Sequence, residues 1–195
     1  MKKNILIAVL CISSISYGQT FQVGAKAGVN ISNFTGNSNV DQVKANSLVG
    51  FHVGGFIDFN LGNVLALQPE LLFSSEGAKV NDGISTSDYK INYINVPVMV
   101  KLRVGGGLYL EAGPQIGFKA NEKINGNTET FFKSTDLSVA GGLGFHSKMG
   151  LGVGARYTAG LSKVSDFNTG TTTPDWKNGV LQFSVFYTFF NNKKN

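Results

Sequence analysis

The side chains of this 195-residue chain that could do chemistry are charged groups on the polar side of alternating polar and apolar segments. Acids and bases that share one enclosed face could form ion pairs, line a pore or bind a small solute. An unpaired buried charge is costly, so we expect these groups to form a luminal ion-pair network. Its predicted members are Lys26, Asp58, Glu70, Lys101, Arg103, Glu111, Lys119 and Arg156.

Within this set, one group of four is expected to be the main network. Glu70 and Glu111 lie on segments that flank the segment carrying Lys101 and Arg103. Strands that follow one another in an up-and-down sheet are neighbours, so these four side chains should meet. Five of the eight charges are basic and three acidic, so a wet path for ions remains the alternative to a closed plug.

The same inventory argues against catalysis, metals and cofactors. An enzyme built on such segments would place a nucleophile and an acid–base group, usually a histidine, together at one end of the segments. The two histidines, His52 and His146, both fall inside alternating segments and far apart. The single cysteine, Cys11, lies in the apolar N-terminal stretch, so we expect no catalytic residue, no cofactor and no metal site.

The segments that position these groups alternate strictly between apolar and polar residues. Between Leu151 and Ser162, for example, every odd position is apolar and the even positions are Gly, Arg, Thr or Ser. A period of two over 11 or 12 residues is typical of a tilted membrane-spanning strand. Eight segments show it: 21–31, 48–59, 64–75, 91–104, 108–120, 136–146, 151–162 and 179–190.

The connections between these segments alternate in length. Long polar stretches are predicted over 32–47, 76–90, 121–135 and 163–178, and tight turns over 60–63, 105–107 and 147–150. Alternating long and short connections are typical of outer-membrane proteins, with long loops outside the cell and short turns in the periplasm. The sequence therefore predicts an all-β, eight-stranded antiparallel up-and-down transmembrane barrel, with both termini periplasmic.

A soluble barrel, such as a lipocalin, could show the same alternation with its apolar face inward. Glycine argues against that orientation, because it is concentrated on the polar face. A narrow eight-strand interior needs small residues beside long ones, whereas a solvent-facing surface has no such limit. We therefore expect the apolar face to contact outer-membrane lipid.

The N-terminus has the features of a secretory signal. Lys2 and Lys3 precede an apolar run over residues 5–15 that is too short to span a bilayer as a helix, and small residues precede a cut after Gly18. A short anchor helix is the alternative. We expect a signal peptide over 1–18, a barrel domain over 19–190 and a polar tail over 191–195.

Charge gives no indication of nucleic-acid binding. The formal net charge is +5, of which Lys2 and Lys3 supply two, and the remaining bases are dispersed. The loops instead carry aromatic side chains that could contact a partner or anchor in the lipid interface. These are Phe34, Phe131, Phe132 and Trp176.

The chain resembles the small outer-membrane β-barrel proteins of the Bacteroidetes type, often called PorT-like. The resemblance rests on the opening run from Phe21 to Asn30, the central run from Tyr93 to Lys101, and the pair Gly113-Pro114. It implies an integral outer-membrane location without fixing an activity, since members range from envelope proteins to a secretion-system component. The last aromatic strand also resembles the signal read by the barrel-insertion machinery, although Phe190 is followed by five polar residues.

Three functions remain open at this stage. The first is a non-enzymatic envelope structural or accessory protein whose extracellular loops bind partners such as envelope or secretion-system proteins. The second is a narrow channel or small-solute-binding barrel. An outer-membrane hydrolase is the third.

Overall fold

The computed structural model describes residues 21–35, 44–81, 86–124, 127–128, 135–161 and 177–191. Eight long strands account for nearly all of them: β1 (Phe21–Thr35), β2 (Lys44–Leu61), β3 (Leu65–Asn81), β4 (Thr86–Gly105), β5 (Leu108–Ile124), β6 (Thr135–His146), β7 (Leu151–Gly160) and β8 (Lys177–Asn191). A two-residue strand, Asn127–Thr128, pairs with the end of β5. Among these residues no helix is long and apolar enough to cross a membrane. The predicted signal peptide, 1–18, lies outside the described residues.

The eight strands form one closed antiparallel barrel. Each strand pairs with the next along the chain, and β1 pairs with β8 from Gln22 opposite Asn191 to Thr35 opposite Lys177. Because the barrel is closed, the sheet has no unpaired edge. Strands that cross lipid require this, since the bilayer offers no water to bond free backbone groups. The predicted eight-stranded antiparallel up-and-down barrel is confirmed.

Burial in this barrel is reversed relative to a soluble protein. Among the described residues, 20 polar or charged side chains are buried but only 11 apolar ones. The outward positions of every strand carry large exposed apolar side chains, such as Val53 on β2, Leu143 on β6 and Val185 on β8. The apolar face is therefore the outside of the barrel, as the glycine pattern indicated.

Short turns connect the strands at one end of the barrel. Gly105, the last residue of β4, and Gly106 and Gly107, which connect it to β5, have φ angles of 108°, 62° and 91°. Residues with a Cβ rarely adopt such angles, so three consecutive glycines permit this tight reversal. Turns also join β2 to β3 and β6 to β7, as predicted, and Phe21 and Asn191 lie at the same end. We call it the turn end.

At the opposite end the strands extend further than predicted. β3 and β4 remain paired as far as Asn81 opposite Thr86, so most of the connection predicted over 76–90 is strand. Phe34, predicted to lie in a loop, belongs to β1 and is opposite Asn178 in the ladder. The prediction relied on apolar alternation, which stops where both faces of a strand become polar, whereas backbone pairing continues.

Candidate functional site

Four charged side chains meet at one level inside the barrel, which we call the ion quartet: Lys26, Glu70, Glu111 and Arg156. They come from β1, β3, β5 and β7, the four odd-numbered strands. In a tilted barrel, inward residues of alternate strands lie at the same height and form layers. Each member is at most 7% exposed.

The centre of the quartet is Glu70. It accepts a 2.7 Å hydrogen bond from Lys26 Nζ, and Arg156 donates two more, of 3.0 Å from Nη1 and 2.7 Å from Nη2. Arg156 Nε also donates to Glu111 Oε1 at 2.8 Å. Two cations thus face two carboxylates, and the fork of Arg156 holds Glu70 in bidentate geometry, the strongest form of ion pair.

These pairs differ from the network expected from strand adjacency. Arg156 joins Glu70 to Glu111, Lys26 pairs with Glu70, and neither Lys101 nor Arg103 belongs to the quartet. The expectation about Lys101 and Arg103 was wrong because in so narrow a lumen a long side chain reaches across the axis. The partner of a long inward side chain therefore depends more on its height along the barrel axis than on which strand is adjacent.

A second layer lies next to the quartet on the side of the turn end, and we call it the aromatic layer: Phe56, Lys101, Tyr109, His146 and Phe186. The ring centroids of Phe56 and Phe186 are 5.7 Å apart, with the rings at 88° to each other. The rings of Tyr109 and His146 lie 6.2 Å and 5.2 Å from that of Phe186. Lys26 Nζ lies 5.9 Å from the centre of the Phe56 ring, so the two layers touch.

Lys101 enters the aromatic layer from β4. Its Nζ lies 4.2 Å from the centre of the Tyr109 ring, 5.2 Å from that of Phe186 and 5.8 Å from that of Phe56. Within the described part of the chain it has no hydrogen bond and no ion pair, although it is only 3% exposed. Cation–π attraction of about 2 kcal/mol at a desolvated site offsets only part of the cost of burying that charge.

Inward glycines make room for the aromatic layer. A Cβ at Gly152 would clash with the ring of Phe186, and one at Gly24 with the ring of Phe56. At Gly144 it would clash with the hydroxyl of Tyr109. These three inward glycines therefore accommodate long side chains, in keeping with the concentration of glycine on the polar face.

Arg103 and Asp58 lie nearer the turn end than the aromatic layer. Arg103 Nη2 is 3.4 Å from Asp58 Oδ2 and also donates to Asn60 Oδ1. The side chain of Arg103 is 28% exposed and that of Asp58 is 2% exposed. Lys119, the remaining member of the predicted set, is half-buried on β5, opposite Tyr93 on β4.

On the other side of the quartet, His52 holds two polar side chains together. His52 Nδ1 is 2.7 Å from Asn30 Oδ1, and His52 Nε2 is 2.8 Å from Ser184 Oγ. The amide nitrogen of Asn30 contacts two backbone carbonyl oxygens at 3.1 Å. Carbonyls only accept, so Asn30 Oδ1 faces His52 and accepts a hydrogen bond from Nδ1–H. His52 Nε2 is then the acceptor for the Ser184 hydroxyl.

This serine–histidine–asparagine chain has the connectivity of a nucleophile, a base and an orienting group. Sequence reasoning missed it, because Asn30, His52 and Ser184 are widely separated in the chain. The available signal was that the alternating pattern places all three side chains on the inward face. In the ladder, Gly28 lies opposite both His52 and Ser184, so the imidazole passes over a residue that has no side chain. Asn30 and His52 are at most 1% exposed.

A further polar cluster lies beyond His52. Glu76 accepts hydrogen bonds from Ser74 Oγ at 2.8 Å and from Asn95 Nδ2 at 3.0 Å. No group of three or more histidine, cysteine or carboxylate side chains in the described ranges could hold a metal ion. Of the predicted loop contacts, Phe131, Phe132 and Trp176 lie outside the described residues.

Two comparisons identify what this barrel resembles. Residues 16–166 match the family model described as outer membrane protein beta-barrel domain. No curated protein matches the sequence.

Among solved structures, the chain is similar to Neisserial surface protein A (NspA), at 15% identity over 86% of this chain and 97% of that chain, with a TM-score of 0.56. It is also similar to Ail, the attachment invasion locus protein of Yersinia pestis, solved with the heparin analogue sucrose octasulfate. That match has 19% identity, covers 87% of this chain and 99% of Ail, and has a TM-score of 0.54. Such identities show a shared fold.

The family match covers more than half of the chain, and the closed barrel has an apolar exterior with a polar interior. This protein belongs to the outer membrane protein beta-barrel domain family and is an integral protein of the outer membrane.

Proposed function

We propose that the protein is a non-conducting, non-enzymatic barrel that serves the envelope as a structural or accessory protein. One observation carries this proposal: Arg156 on β7 binds Glu70 on β3, four strands away in either direction around the barrel. The ion pair thus crosses the full width of the lumen.

A second crossing supports the same conclusion. Lys101 on β4 and Phe186 on β8 are also four strands apart, and Lys101 Nζ lies 5.2 Å from the centre of the Phe186 ring. Two layers of side chains, each reaching from wall to wall, leave ions no open path of the kind that wide porins have. The narrow channel is therefore the less favoured function.

Single-channel recording in planar bilayers tests this proposal. We expect no steady current from the wild-type barrel, whereas a wide porin reconstituted in the same bilayers conducts. A double variant, Arg156→Ala with Phe186→Ala, shortens one side chain in each layer and should conduct intermittently if the layers are the block. Steady current through the wild-type barrel would contradict the proposal.

The orientation that we propose places the turn end and both termini in the periplasm. An even number of strands brings both ends of the chain to the same side, and short turns are periplasmic in bacterial barrels. A signal peptide over 1–18 would deliver the chain there, and the mature protein would begin at Gln19. Protease treatment of intact cells should leave the N-terminus intact, and its sequencing should start at Gln19.

On the opposite side, the loops are the proposed surface for partners. Surface loops on a rigid scaffold commonly carry binding residues. The resemblance to PorT-like proteins favours envelope or secretion-system proteins as those partners. Cross-linking in native outer membranes identifies the proteins that contact the barrel. Repeating it with Trp176→Ala tests whether this loop aromatic is needed for the contact.

One observation favours a hydrolase instead, namely the serine–histidine–asparagine chain. Ser184 Oγ could be a nucleophile activated by His52, but the base and its orienting group are buried among inward side chains. We therefore expect this chain to hold the barrel wall together and not to turn over substrate. A fluorophosphonate probe should leave Ser184 unmodified. Labelling that disappears in Ser184→Ala would contradict the non-enzymatic proposal.

A further inference from the structure

The turn end of the lumen contains a cavity of about 430 Å³. Its polar lining comes from Asp58, Asn63, Lys101, Arg103, Tyr109 and His146. A volume of this size is within the range of small-ligand sites. The cavity therefore has room for a small anion among several side chains that can donate hydrogen bonds.

Charge pairing leaves this cavity positive. Inside the quartet, Lys26 and Arg156 balance the two carboxylates. Nearer the turn end, Arg103 faces Asp58. Lys101 remains, and the described residues provide its ammonium with no ion pair. Its ladder neighbour Glu111 attracts this charge but makes no ion pair with it, and Glu111 Oε1 accepts from Arg156.

Two cations of different shape line this cavity. The ammonium of Lys101 is held among three rings and is 3% exposed. Arg103 makes its hydrogen bonds through Nη2, and in the described structure its Nε and Nη1 make none. A guanidinium and an ammonium that line the same cavity suit a tetrahedral anion, which has oxygens for both.

The cavity also reaches the lipid-facing rim. Its remaining lining includes Val104 and Leu108, which are 64% and 56% exposed on the outside of the barrel. A phosphate could therefore come from solution or from the headgroup of a phospholipid whose acyl chains follow these side chains. Both sources present the same group to Lys101 and Arg103.

We propose that the turn-end cavity is a binding site for a phosphate group, with Lys101 as its main charge partner and Arg103 as the second. The site does not depend on the loops or on conduction. It adds ligand binding at the turn end to a barrel whose lumen is otherwise closed.

Calorimetric titration of the intact barrel in octyl glucoside tests the proposal, because this detergent contains no phosphate. One arm uses inorganic phosphate against chloride at matched ionic strength, and the other uses dihexanoylphosphatidylglycerol below its micellar concentration. We expect saturable binding in at least one arm, with affinity at least 10-fold lower in Lys101→Met. Lys148→Met is the matched control, since Lys148 is an exposed lysine at the same end. It should bind like the wild type.

The pattern across the two arms identifies the source of the phosphate. Binding of inorganic phosphate shows that the free anion suffices, and binding of the lipid alone assigns the site to a headgroup. No saturable binding in either arm overturns the proposal, as does equal affinity in Lys101→Met. If Lys101→Met does not fold, Arg103→Gln provides the test, because Arg103 is partly exposed. We expect it to weaken binding about threefold or more, and wild-type affinity in that variant overturns the proposal.

Discussion

Arg156 on β7 and Glu70 on β3 join opposite walls of the barrel through hydrogen bonds of 3.0 Å and 2.7 Å. The same carboxylate also accepts from Lys26 on β1, and the same guanidinium donates to Glu111 on β5. Side chains from four alternate strands are thus linked through the Arg156–Glu70 pair. The quartet should therefore contribute to the stability of the whole cylinder as well as blocking it.

Replacing Arg156 by methionine should destabilise the barrel strongly. The change leaves two buried carboxylates with one cation, and loss of one partner of a buried pair costs about 3–5 kcal/mol. Urea unfolding in lipid vesicles, followed by circular dichroism, measures the free energy. Adding Glu111→Gln to Arg156→Met should recover part of that loss, because Arg156 is the ion-pair partner of Glu111 in the described structure, whereas Glu70 keeps Lys26. A loss below about 1 kcal/mol in Arg156→Met, within the effect of an exposed pair, would contradict the structural role of the quartet.

Gly152→Ala should destabilise the barrel because the new methyl group meets the ring of Phe186. Overpacking of this kind costs about 1–3 kcal/mol. Gly141→Ala is the matched control: Gly141 faces outward on β6, and the nearest atom to a Cβ there is 3.9 Å away. Equal stability of the two variants, measured in the same urea assay, would show that the aromatic layer is not tightly packed. Combining Gly152→Ala with Phe186→Leu should restore part of the loss.

Val53→Arg tests directly whether the apolar face contacts lipid. Val53 lies in the middle of β2 and is 48% exposed. Arginine at the bilayer midplane of a barrel costs about 2–4 kcal/mol and near the interface about 0–1 kcal/mol. Val104→Arg, beside the turn between β4 and β5, should therefore be much milder. Similar free energies of unfolding for the two variants in vesicles would indicate that no hydrocarbon layer surrounds β2.

Lys101→Met should be at least as stable as the wild type in phosphate-free buffer. Methionine keeps much of the length of the side chain and removes a buried charge that no described carboxylate pairs with. The variant loses a cation–π attraction of about 2 kcal/mol, but it also avoids the cost of several kcal/mol of burying an ammonium. The midpoint of urea unfolding measures this. A marked loss of stability in Lys101→Met would instead make the ammonium a structural element of the aromatic layer. Adding whichever of the two phosphate compounds binds the wild type should raise its midpoint more than that of Lys101→Met.

The features that local pattern controls were predictable from the residues. Alternation between Leu151 and Ser162 specifies which side chains share a face, because successive residues of a strand point in opposite directions. The glycines at 105–107 indicate a tight reversal, since their backbone angles are open to few other residues. Strand number, strand direction and the inward position of Lys26, Glu70 and Arg156 follow from such local rules.

The partners of those inward residues depended on the closed barrel. Arg156 and Glu70 are 86 positions apart, and His52 and Ser184 are 132 positions apart. Which of them share a height depends on strand tilt and on the register at which β1 meets β8, and no local pattern encodes either. The sequence by itself determined a barrel with charges inside. Only the tertiary structure decided that two carboxylates and two cations cancel across the axis while Lys101 remains over an open cavity.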